Sequence, residues 1–263
     1  MQSFRAAAIV SVFLATGVAC GKSSGVAATG GPTPEAASSS ASAGDSRSCP
    51  RPSQPDRRPT VAVMYFDNGA LTNRTDFAPL SKGIADMMVV SLRANCRIRV
   101  VEREQLQRLL AEQNIPADRI DAATRVRIGK LLGAQHMIMG AFVVDPRDQM
   151  VITASAVDVE TSEHEADVDQ RDAAKNLLDI VPALARKLND AMKLPAMQTP
   201  VYEGARPVKR DDELLAIRLY SRALEEQDRG NRARAIDLCR AALEKFPSYA
   251  PAQQALRKLQ ATG

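Results

Sequence analysis

Tryptophan is absent from this sequence, aromatic residues make up 4% of it, and there are two histidines in 263 positions. A chain so poor in rings offers no stacking platform for the bases of a nucleic acid. Its formal charge of +4 is dispersed, with no stretch basic enough to follow a phosphate backbone, so nucleic acid is excluded as a partner. The scarcity of histidine narrows the chemistry further. His136 lies inside an apolar run, where a satisfied core residue is expected rather than a metal ligand. His164 stands between Glu163 and Glu165, and alternate residues of a strand point to opposite faces, so these three do not converge on one ion. No glycine-rich loop opens a helix at phosphate-binding spacing, and no nucleophile is matched with a base. No enzymatic activity, metal, cofactor or small-molecule substrate is expected.

Long apolar runs are also missing beyond the amino terminus. Residues 6–19 form the one such run, preceded by Arg5; it falls short of the roughly 18 residues that a membrane-spanning helix needs. That length suits the core of a signal peptide, so residues 1–19 are expected to be removed on export. Gly17, Val18 and Ala19, just before Cys20, resemble a bacterial lipobox, with Gly17 where leucine is usual. The resemblance implies that the Cys20 thiol receives a diacylglycerol and becomes the new amino terminus; ordinary cleavage after Ala19 is the alternative. Gly21 follows in place of aspartate, which implies sorting to the outer membrane. Residues 20–58 are rich in serine, alanine, glycine and proline and bury too little apolar surface to fold. They read as a tether with a mean reach of roughly 30–40 Å.

Residues 59–193 carry the pattern of a folded α/β domain. The run TVAVMYF at 60–66 is apolar on both faces and ends at Asp67, Asn68 and Gly69, as a buried strand should. Asp76 is placed to cap a helix with Leu80, Ile84, Met87, Met88 and Leu92 on one stripe. A strand over 97–101 then turns into an amphipathic helix through Leu106, Leu109 and Leu110, with Glu102 and Arg103 expected to form a structural ion pair at the corner. A second helix closes at Gly133, a good residue for a helix end. Strands are expected at 136–144 and 150–159 and a more polar edge strand at 163–169, then a helix over 173–192 that Pro182 should kink or split. This order predicts a mixed β-sheet with packed helices.

Three motifs within this domain resemble one family. Glu102, Arg103, Leu106, Leu109, Leu110, Glu112 and Gln113 match E-R-x-x-L-x-x-L-L-x-E-Q; Gly129 through Gly133 to Gly140 matches a G-K-x-x-G-A-x-x-x-x-G segment; residues 157–163 match V-D-x-x-T-G-E, with Ser162 in place of glycine. All three are similar to motifs of the CsgG/HfaB family of curli-assembly lipoproteins. The resemblance implies a CsgG-like periplasmic domain and a lipoprotein on the periplasmic side of the outer membrane. The best-known members build a secretion pore from membrane-spanning β-hairpins; here no spare pair of strands of about 9–11 residues is available for one. A non-enzymatic assembly or secretion adaptor is therefore expected. The alternatives are a subunit of an oligomeric curli-type secretion complex and an activator of a cell-wall synthase.

After a linker at 194–210, residues 211–263 read as a small all-α module. Residues 216–249 fit one tetratricopeptide repeat of about 34 residues. Leu219, Ala223, Ala235, Cys239 and Ala242 supply the packing, Gly230 lies at the turn and Pro247 at the end, while Glu226 replaces the usual aromatic. So short an array cannot bury its own apolar faces. It must lean on the main domain, on a second copy in a homo-oligomer, or on an envelope protein or peptide laid in its groove. Of the remaining cysteines, Cys239 is expected as a buried thiol, and Cys49 has three open fates: a bond to Cys96, a free thiol, or a bond between two chains.

Overall fold

The computed structural model describes residues 49, 56–115, 120–197 and 208–261. The expected signal peptide, the expected lipidation site Cys20, most of the expected tether and the greater part of the linker lie outside these residues. Five strands form a single sheet in the order β2-β1-β3-β4-β5. They are β1 (Thr60–Asn68), β2 (Arg99–Val100), β3 (His136–Val144), β4 (Gln149–Asp158) and β5 (His164–Ala173). β1 runs parallel to β2 and β3, whereas β3, β4 and β5 are antiparallel. The expected mixed sheet with packed helices is therefore present.

Burial follows the sequence pattern. Every residue of β1 from Thr60 to Phe66 is buried, as a central strand covered on both sides requires. In β4, Met150, Ile152, Ala154 and Ala156 are buried under the helices, and Val151, Ser155 and Val157 are half-buried on the other face. Helices α2 (Leu80–Arg93) and α5 (Leu177–Ala191) supply that cover, packing on β1 and on β4–β5 and against each other.

Several boundaries differ from expectation. Asp76 caps nothing: it sits inside a four-residue helix α1 (Arg74–Phe77), and α2 starts separately after Pro79. The β2 ladder is two residues long because a turn ends just before it and Glu102 already stands at the start of α3 (Arg103–Glu112). Pro182 does not split α5, which continues through it as one helix. The proline forfeits a single bond, to the carbonyl four residues back, and its ring lies in the core, where packing of α5 on the sheet compensates. Asp121 caps α4 (Ala122–Leu131) by accepting from the Thr124 amide. Gly133 at φ +63° ends that helix, with the Ala134 amide reaching back to the Gly129 carbonyl.

Cys49 is bonded to Cys96, with Cα atoms 5.2 Å apart, which decides among the three fates. Cys239 is buried, and burial pushes its thiol up to about 11. On a non-reducing gel the chain is expected to run as a monomer that shifts on reduction, and Cys49→Ser should abolish the shift and leave Cys96 open to alkylation. Covalent dimers that vanish in the same variant would contradict this pairing.

Three helices complete the chain: α6 (Arg210–Asp228), α7 (Arg232–Lys245) and α8 (Ala250–Ala261). α6 pairs with α7 as a hairpin and also lies on α2. Of the three supports open to this short array, the main domain is the one seen.

Candidate functional site

The strand-to-helix corner at residues 99–113 positions the first group of side chains. Glu102 is the last extended residue, and Arg103 opens α3. The two are adjacent yet do not pair with each other, contrary to expectation. An extended residue and the helical residue after it project in different directions, so Glu102 meets Arg93 at the surface while Arg103 turns inward. The Arg103 side chain is 3% exposed, and its Nη1 donates to Asp228 Oδ1 at 2.8 Å. Lys82 Nζ of α2 donates to the other oxygen of Asp228 at 2.6 Å. One carboxylate thus bridges α2, α3 and α6.

Asp228 is the last residue of α6, where the negative end of the helix dipole disfavours a carboxylate. Two external cations offset that cost. Burial alone would make Arg103 easier to deprotonate; the Asp228 carboxylate more than reverses this and keeps the guanidinium charged. Beside it, Tyr220 of α6 donates to Asp86 of α2 at 2.8 Å, and burial raises the Asp86 carboxyl above the usual range against the pull of that hydrogen bond. Between them the two helices come so close that a Cβ at Gly83 would lie 1.9 Å from Ser221 Oγ. Between α7 (Arg232–Lys245) and α8 (Ala250–Ala261), Tyr249 meets Tyr220 edge to face and stacks on Phe246.

The other motif residues divide by location. Leu106 and Leu110 are buried, whereas Glu112 and Gln113 are exposed at the end of α3. Gly140 lies in the middle of β3. In the helical hairpin Ala223, Ala235, Cys239 and Ala242 are buried and Leu219 partly so. Gly230 and Pro247 are both exposed at turns, Gly230 at φ +80° with nothing within 4 Å of where a Cβ would stand and Pro247 offering its carbonyl to Gln253, so neither adds to the packing. Glu226 accepts from Arg229 and Asn231 and so ties the α6–α7 turn. Lys82, Asp86, Tyr220 and Asp228 had no local signal in the sequence, because each is defined by a partner more than a hundred residues away.

The helices leave part of the opposite sheet face open. A groove of about 960 Å³ runs over it, floored by Met64, Tyr65, Met139, Ala141 and Thr153, with Arg125 of α4 at its rim. Beyond the groove, Leu71 is 71% exposed and Val143 39% exposed. The Leu71 amide bonds the carbonyl of Val144, the residue after Val143. Among the described residues, one set could hold a metal ion: His136, Asp158 and Glu165.

Residues 43–145 match the family model described as curli production assembly/transport component CsgG. The match includes the first two motifs and ends before the third, at 157–163. No curated protein gives a significant match. Among solved structures, the LpoB C-terminal domain from Salmonella enterica is similar at 12% identity and a TM-score of 0.33, over 43% of this chain and 82% of that one. The PelC dodecamer from Paraburkholderia phytofirmans is similar at 15% identity and a TM-score of 0.32, over 53% and 90%. Lipoprotein GNA1162 from Neisseria meningitidis is similar at 8% identity and a TM-score of 0.34, over 43% and 79%.

Proposed function

We propose that this chain is a lipoprotein anchored through Cys20 to the periplasmic side of the outer membrane, and that it serves envelope assembly or secretion as a non-enzymatic adaptor. The observation that carries the proposal is the open sheet face, where a groove lined by Met64, Tyr65, Met139 and Ala141 and rimmed by charged side chains such as Arg74, Lys82 and Arg125 accompanies the exposed apolar residues Leu71 and Val143. An apolar surface left uncovered by the protein's own helices is what a docking platform presents. The family match over 43–145 supports an envelope role. The turn from β3 to β4 spans residues 145–148 and that from β4 to β5 residues 159–163, so neither hairpin carries a membrane-spanning extension. In this proposal the α6–α8 unit is a tetratricopeptide-like module whose inner side is used up on α2 and whose outer side faces partners.

A photo-crosslinking residue at Val143, compared with one at the exposed Lys245 on α7, tests this in intact envelopes. Discrete adducts with one or two envelope proteins are expected from Val143, and Cys20→Ser should remove both the fatty acid and the adducts. A ladder of self-adducts, or conductance of the purified lipoprotein in planar bilayers, would instead favour the oligomeric secretion subunit.

A further inference from the structure

Independently of the adaptor role, we propose that His136, Asp158 and Glu165 form a binding site for one divalent transition-metal ion of the zinc type at the end of the sheet. Asp158 is the direct partner of His136 in the β3–β4 ladder. Glu165 belongs to β5, one strand further away, and a regular ladder would not bring it near β3. A bulge does so: Ala156 pairs with Ala166 and Val157 with His164, leaving Glu165 as the surplus residue. Bulges re-aim side chains in this way. Both Glu165 carboxylate oxygens lie within reach of His136 Nδ1, at 2.9 and 3.0 Å. His164 faces elsewhere and meets Asp167, so alternation along 163–165 does keep these three residues apart, and the convergent set draws on three strands instead.

The set has the composition and spacing for an ion. One ligand atom from each residue lies within 4.8 Å of the others, and donors around a tetrahedral zinc stand about 3.3 Å apart, so small side-chain movements suffice. One imidazole with two carboxylates suits first-row divalent metals. Asp158 is held in place by its Oδ1, which accepts the amides of Glu160 and Thr161 at 2.8 and 2.7 Å. Beside the cluster, a cavity of about 260 Å³ lined by Gln135, His136, Asp158 and Glu160 leaves room for water to complete the coordination. Lys130 also lines it. A bound ion would fasten β5, an edge strand of sequence HEADVDQRDA too polar to be held by burial alone, across β4 to β3.

Calorimetric titration of ZnCl2 into the tag-free mature chain, after removal of metal with chelator, tests the site. One equivalent is expected to bind, and zinc should slow amide exchange along β5. His136→Gln and Glu165→Gln should each weaken binding 10-fold or more, while His164→Gln and Cys239→Ser leave it unchanged. Circular dichroism establishes that each variant is folded; if His136→Gln is not, Glu165→Gln, whose side chain is 21% exposed on an edge strand, decides alone. No stoichiometric binding by the parent chain, or undiminished binding by the folded variants, would overturn the proposal.

Discussion

Asp228→Ala is expected to destabilise the protein by about 3–5 kcal/mol, because it strands a buried guanidinium rather than simply deleting a contact. Arg103 is 3% exposed and Asp228 7% exposed, and their separation is 2.8 Å. With the carboxylate gone, the buried Arg103 charge loses its hydrogen-bonded ion-pair partner. Lys82 is 20% exposed and can swing out to solvent, so Lys82→Ala should cost no more than about 1 kcal/mol. The double variant Asp228→Leu with Arg103→Met should recover much of the loss, since replacing both members of a buried pair by apolar residues is often neutral or better. Urea unfolding measures all three. Limited proteolysis adds a spatial readout: loss of Asp228 should loosen α6 from α2 and expose the α6–α7 hairpin first. An Asp228→Ala chain within about 1 kcal/mol of the parent would mean that Arg103 reaches solvent.

What the sequence revealed and what it concealed divide along the same line. The apolar runs at 60–66 and 136–144, the helix end at Gly133 and the polar edge strand all depend on local pattern, and each appears in the fold. The edge strand is longer than expected, reaching Ala173, because its second half pairs with the first half of β4 in the ladder. The Arg103 partner was hidden because Asp228 lies 125 residues further on, and a neighbouring glutamate offered a plausible local pairing. The convergence of Glu165 on His136 was hidden for a different reason: strand alternation is a rule for regular ladders, and one surplus residue breaks it. The shortness of 211–263 predicts a need for support but not what covers it; the close approach of Gly83 to Ser221 became visible only with α2 and α6 side by side.

Gly140→Ala is expected to cost about 3 kcal/mol, at the upper end for an overpacked core, and Gly140→Val more. A Cβ at this position would lie 2.3 Å from Phe66 Cε1 and 2.3 Å from the Thr153 carbonyl oxygen. The carbonyl belongs to β4 and cannot retreat without breaking the ladder in which Ala141 faces Thr153. Nor is the ring free to leave: the β1–β3 register shifts between Val63 and Phe66, which lays Phe66 beside Gly140 in the fully buried core. Other glycines give the contrast. Gly230→Ala meets no atom within 4 Å and suffers only from its positive φ, a cost of about 1 kcal/mol. Gly83→Ala strikes a serine hydroxyl, so Ser221→Gly should rescue it, whereas no single side-chain truncation rescues Gly140→Ala, because half of its clash is with backbone. Thermal unfolding of the three variants should rank them in that order, with Gly140→Ala lowest. Because Phe66 and Gly140 both line the groove on the open sheet face, the same substitution should also reduce adduct formation from Val143 in chains that remain folded. A Gly140→Ala protein as stable as the parent would show that β4 yields at this point, and the groove floor would then be softer than its packing indicates.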